Sequence, residues 1–197
     1  EVPTVIGTLL EEPEDAEALK VPEVGAGRTG LYIEAIEKVC KMITDRPVLA
    51  GVIGPFSLAG RLMGMSEIMI NCYEEPEMVE TTLNKAAEFI IAYIKGFKNA
   101  GANGVCIAEP AAGLLSPDLV EEFVMPYTKR IIDEVQDDEF AVMLHNCGGA
   151  VARCLDIWKN NGAMAYHFGN AVNMREILEE MPDDVLVMGN VDPSSQF

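Results

Sequence analysis

The chain has 197 residues, 49% hydrophobic and 23% charged, which suits a folded protein with a sizeable core and excludes a disordered one. Its 14 basic and 32 acidic residues give a formal net charge of -18, a surface that repels nucleic-acid phosphates and anionic membranes. No apolar run approaches the roughly 20 residues of a spanning helix, and five cysteines without a C-x-x-C pair suit a reducing cytoplasm better than a disulfide framework.

The first stretch carries Glu11, Glu12, Glu14, Asp15 and Glu17 and reads as a solvated acidic segment. Arg28 to Ile43 predicts one helix, so residues 1–45 form a helical lead-in. Val48 to Ile53 is the first strand candidate, ending in Gly54-Pro55-Phe56-Ser57 and followed by a short helix around Leu58 to Met65. Pro76 opens a longer helix in which Val79, Leu83, Ala86, Ala87, Ile90, Ile94 and Phe97 recur at helical spacing, with Gly101 in closing position.

Gly104 to Ala108 is the second strand, running into Glu109-Pro110-Ala111-Ala112-Gly113. Ser116-Pro117 is an N-cap with proline at the first helical position, and Pro126 should break or kink the helix before it continues to Val135. Ala141 to Leu144 is the third strand. A helix with Val151, Leu155 and Trp158 on one stripe follows it and stops at Gly162. The fourth strand, Ala163 to His167, ends in Phe168-Gly169-Asn170. After a helix from Met174 to Met181, the fifth, Val185 to Met188, ends in Gly189-Asn190-Val191-Asp192-Pro193.

Short apolar strands alternating with helices are the signature of parallel βα units, and every strand here ends in a loop rich in Gly, Pro, Asn or ionisable residues. That asymmetry fits a TIM-type (β/α)8 barrel, whose active site lies at the carboxyl ends of the strands. No G-x-G-x-x-G follows any strand, which argues against a dinucleotide-binding sheet. The fold class is therefore α/β, an incomplete barrel of about five units. Residues 1–197 read as one domain forming the central and later part of a longer barrel. An open partial barrel exposes strand edges, so edge pairing between copies, as in a homo-oligomer, or a local rearrangement is expected.

Within this series one element stands apart. His145-Asn146-Cys147-Gly148-Gly149 follows the third strand directly, and residues i and i+2 of a strand share a face. An imidazole and a thiol so placed are the ligand types zinc prefers, and a catalytic zinc needs three protein ligands and an open position. Alone the pattern is weak; its place at a strand's carboxyl end carries it, and only two histidines occur in the chain.

Several loops then become recognisable together. Gly51-Val52-Ile53-Gly54-Pro55-Phe56-Ser57-Leu58, Ala100 to Gly104 leading through Glu109 to Leu115-Ser116-Pro117 and Met125-Pro126-Tyr127, and Gly189-Asn190-Val191-Asp192-Pro193 resemble, in order, elements of the uroporphyrinogen decarboxylase superfamily. The resemblance implies a TIM-type barrel and one of two chemistries. True decarboxylases of porphyrin biosynthesis need no metal and hold a porphyrinogen's carboxylates with basic residues. The cobamide-dependent methyltransferase branch binds zinc through an H-x-C pair and a later cysteine, and zinc activates a small thiol that takes a methyl group from methylcobamide on a corrinoid partner protein.

His145 and Cys147 stand where that branch has its pair, so the resemblance makes them zinc ligands, with the third expected beyond Phe197. Cys106 and Cys154 read as core. Phe56 is expected to line the pocket mouth, and Glu109 and Asn170 the pocket. His167 is either a fourth ligand, a substrate-facing group or a hydrogen-bonded rim histidine. Asn190 and Asp192 either orient substrate or form the turn before Pro193. No catalytic residue beyond the zinc ligands is assigned.

The leading expectation is zinc-dependent methyl transfer between a corrinoid protein and a small thiol. The alternatives are a porphyrinogen decarboxylase and a non-catalytic corrinoid- or partner-binding barrel. Against the decarboxylase stand the H-x-C pair and the scarcity of arginine, since Arg28, Arg46, Arg61, Arg130, Arg153 and Arg175 fall mostly on helices.

Overall fold

Alternation along the apolar segments decides which side chains go under the helices. The computed structural model, which describes residues 6–195, places the five segments in one sheet: β1 Leu49–Ile53, β2 Gly104–Ala108, β3 Ala141–Asn146, β4 Ala165–Phe168 and β5 Leu186–Met188. They pair in parallel and in sequence order, β1-β2-β3-β4-β5, as successive units of a (β/α)8 barrel do. Among the described residues β1 and β5 are the open edges.

Ala50, Val52, Val105, Ile107, Val142, Leu144, Tyr166 and Phe168 are buried on one face of the sheet. The opposite face is half-buried to exposed at Leu49, Gly51, Ile53, Cys106, Ala108, Met143, His145, His167 and Met188. The first is the helix-covered face; the second is the one that lines the interior of a closed barrel. Because the pairing has no slip, interior residues fall into layers. Ile53, Ala108, His145, His167 and Met188 are register partners nearest the carboxyl ends, and Gly51, Cys106, Met143, Ala165 and Leu186 form the next layer. Cys106 is thus a half-buried interior residue, whereas Cys154 is buried in the core.

The helices are α1 Pro13–Ala18, α2 Thr29–Met42, α3 Pro55–Met63, α4 Met65–Glu74, α5 Pro76–Asn99, α6 Pro117–Phe123, α7 Met125–Val135, the one-turn α8 Leu155–Trp158 and α9 Met174–Glu180. In α5 the whole predicted stripe is buried, and Gly101 with φ +97 closes it. There the Ala102 N–H reaches the Phe97 carbonyl and the Gly101 N–H that of Lys98, the paired bonds of a Schellman ending. Ser116 accepts from the Leu119 N–H at 3.5 Å, and the chain breaks at Val124, two residues before Pro126. No helix among the described residues is long and apolar enough to cross a membrane.

Glu11, Glu12, Glu14, Asp15 and Glu17 are exposed, as expected of a solvated segment, and the chain there folds as α1, because Pro13 starts it, Glu12 and Asp15 make a reciprocal capping box, and Ala16 is fully buried. Lys85 of α5 donates to the carbonyls of Ala16 and Glu17 at 2.7 and 2.5 Å, satisfying the end of that helix. Two expectations need correction. The short helix after β1 is two helices, divided at Gly64, whose φ of +107 suits glycine. The stripe Val151–Trp158 is split between a 3-10 turn, Gly149–Cys154, and α8.

The layers depend on close backbone approach at Gly104. A Cβ there would lie 2.4 Å from the Ala141 carbonyl oxygen and 2.8 Å from Leu49 Cδ2. Gly104→Ala should therefore lower stability by about 1–3 kcal/mol, as overpacking does. Urea unfolding would show a lower midpoint with unchanged slope; an unchanged midpoint would mean the strands have slack there.

Candidate functional site

Strand register brings the two histidines together. His145 of β3 pairs with His167 of β4, and their rings lie 4.8 Å apart between centroids, tilted by 46°. His145 Nδ1 is 2.7 Å from His167 Nδ1 and 3.1 Å from the His167 carbonyl oxygen. Burial, and then the neighbouring His145, hold His167 below the usual imidazole range.

Cys147 is exposed on the first residue past β3. The chain around it is pinned by Asn146, which is 2% exposed. The Asn146 amide donates from Nδ2 to the Glu109 carbonyl at 2.8 Å, and its Oδ1 accepts from the Gly148 N–H at 2.8 Å, bridging over Cys147. Backbone packs directly on backbone at this rim. A Cβ on Gly169 would meet Cys147 Cα at 2.7 Å, and one on Gly148 would meet Gly113 Cα at 3.0 Å. Asn190, from the loop after β5, donates to the carbonyls of Gly169 and Val172 at 3.0 and 2.7 Å and so holds the loop after β4.

Glu109 was expected in the pocket; the structure turns it the other way, fully buried at the start of α3. Its carboxylate accepts from the Phe56 N–H at 2.9 Å, the Ser57 N–H at 2.7 Å and the Ser57 hydroxyl, whose oxygen accepts in turn from the Ala111 N–H at 3.0 Å. Gly54 makes room, since a Cβ there would lie 2.2 Å from Glu109 Oε2. Burial pushes the Glu109 carboxyl up to about 7, against the opposing hydrogen bonds from Ser57 and Phe56.

Phe56, expected at the pocket mouth, is fully buried in the core. Asn170 is exposed on the rim. Of the two roles open to Asp192, the structure shows the turn: its Oδ1 accepts from the Ser194 N–H and its Oδ2 from the Ser195 hydroxyl, both at 2.8 Å. Ser57 and Asn146 were not singled out in the sequence. Strand alternation was the available signal, because it puts Asn146 on the face opposite His145.

Among the described residues no three His, Cys, Asp or Glu side chains are grouped to hold a metal ion. The residues present nevertheless suit two positions of a zinc site. His145 has Nδ1 turned to a backbone carbonyl, the usual orientation of a ligating histidine, which leaves Nε2 for a metal, and the exposed Cys147 is a thiol donor.

The Glu109 arrangement makes a pH-dependent prediction. With a value of about 7 when folded against 4.5 ordinarily, its proton is held more tightly in the folded protein. That contribution to stability is full below about pH 4.5 and is lost as pH rises through about 7. Glu109→Gln cannot ionise, so the stability advantage of the parent over the variant should shrink by about 3 kcal/mol across that range in urea titrations. An advantage that stays constant or grows with pH would contradict this.

The sequence matches the family described as uroporphyrinogen decarboxylase (URO-D) over residues 1–196. Methylcobamide:CoM methyltransferase MtbA of Methanosarcina acetivorans is 29% identical over 194 residues, 97% of this chain and 56% of the relative. The uroporphyrinogen decarboxylase of Myxococcus xanthus is 32% identical over 190 residues, 93% of this chain and 54% of the relative. A solved methyltransferase from Methanosarcina mazei superposes with a TM-score of 0.87 at 25% identity, covering 97% of this chain and 57% of that one. The chain thus spans about half the length of the curated relatives it matches. It belongs to the uroporphyrinogen decarboxylase family, and its five βα units are part of that family's TIM-type barrel.

Proposed function

We propose that the chain forms part of an enzyme that transfers a methyl group between a methylated corrinoid protein and a small thiol. His145 and Cys147 would hold zinc, and a third ligand would come from outside residues 6–195. The observation that carries this reading is that His145 turns Nδ1 to a backbone carbonyl, two residues before an exposed Cys147, at the carboxyl ends of the strands. Zinc bound there would keep the acceptor thiol ionised at neutral pH, raising its reactivity toward a methyl group.

The chain's own residues position the ligands. His167 holds the His145 ring, Asn146 fixes the backbone on both sides of Cys147, and Asn190 braces the neighbouring loop. Asn170 and Asp192, at the same rim, border the approach of substrate or partner.

Relatives of both chemistries match this chain, and the charge pattern favours the methyltransferase. None of the five strands contains Lys or Arg, nor do the loops 54–57, 109–113, 147–149, 169–170 and 189–193 that follow them. A porphyrinogen with several carboxylates would require such cations. A small thiol held by a metal does not.

Elemental analysis of the full-length protein should find about one zinc per chain. His145→Ala and Cys147→Ser should each lose it, together with thiol methylation from a methylated corrinoid donor. Zinc-free protein that decarboxylates a porphyrinogen would overturn the proposal in favour of the decarboxylase. Zinc without methyl transfer to any small thiol would leave a binding barrel instead.

A further inference from the structure

The contact between the two histidines restricts where each ring proton can sit. A carbonyl oxygen only accepts, so His145 can bond the His167 carbonyl, 3.1 Å away, only with a proton on Nδ1. With that nitrogen protonated, His167 Nδ1 at 2.7 Å has to be bare, because two N–H groups cannot face each other at that separation. One N–H then serves two acceptors. In the reverse assignment His167 donates from Nδ1, and the His145 lone pair faces a carbonyl oxygen, an acceptor against an acceptor. Ile53, Ala108 and Met188, the other members of this layer, bring no N–H or O–H side-chain donor to compete.

We propose that His167 is a positioning residue that sets the tautomer of His145. Its carbonyl and its bare Nδ1 together keep the His145 proton on Nδ1, leaving His145 Nε2 as a free lone pair and placing the His167 proton on Nε2. The tautomer rests on the hydrogen bonds alone; what the lone pair binds rests on the zinc reading. Without the His167 ring, the His145 imidazole has one acceptor fewer and samples the tautomer that covers Nε2 with a proton.

Long-range proton–nitrogen spectra of the metal-free full-length protein at about pH 8, above the ordinary imidazole range, read the tautomers directly. His145 should show a protonated Nδ1 and bare Nε2, and His167 a bare Nδ1 and protonated Nε2. His167→Leu keeps the bulk and the carbonyl but removes the second acceptor, and should weaken zinc binding about 10–100-fold in competition with a chromophoric chelator. His167→Asn, which returns an oxygen acceptor near the Nδ1 position, should recover most of that loss. A protonated Nε2 on His145 in the parent protein overturns the proposal. So does a His167→Leu protein with unchanged His145 tautomer and zinc affinity. A parent protein that holds no zinc defeats the zinc assignment, and the spectra of the metal-free protein then decide the tautomer proposal by themselves.

Discussion

A carboxylate buried at the first turn of α3 joins the ends of three strands, and the rest of the rim is built outward from it. The first N–H groups of any helix lack partners within it, and a negative charge there is favoured by the helix dipole. Glu109 supplies that charge from the end of β2. Its own backbone N–H bonds the His145 carbonyl, and its carbonyl receives the Asn146 amide, so the same residue ties β1, β2 and β3 together. Burial disfavours the ion, while three donors converge on it; the two effects oppose each other at one side chain.

This anchoring explains the contrast on either side of the sheet. On the helix side of the rim Glu109, Ser57 and Asn146 are all buried and hydrogen-bonded. On the interior side the groups suited to chemistry, His145 and Cys147, remain reachable. A fixed framework behind and free donor atoms in front is the division a functional site requires, since the supporting contacts hold geometry without occupying the ligating atoms.

Features governed by neighbouring residues were legible in the sequence. Gly101 as a helix ending, Ser116-Pro117 as a start, Pro126 as a break and the buried stripe of α5 all rest on interactions within a turn or two. The strand-to-loop asymmetry was legible too, and with it the place of His145 and Cys147. Less visible was anything set by contact between distant segments. The end of α1 is satisfied by Lys85, nearly seventy residues away, a contact that its solvated acids do not announce. Their places just after strands point Glu109 and Phe56 toward the pocket. Yet alternation continues one residue beyond β2: with Ala108 facing the interior, Glu109 faces the helices. The meeting of His145 with His167 required the register of two strands, which no single segment specifies.

The glycines of the rim carry a consequence for how such a site can diversify. At Gly113, Gly148 and Gly169 the main chains of adjacent loops touch, so a side chain added at any of them would have to push backbone aside. Inherited variation around His145 and Cys147, and any redesign there, is therefore channelled into exchanging the groups already exposed on the rim, such as those at Asn170 and Val191. New walls cannot be raised between the loops. The site can change what it presents far more easily than it can change its outline.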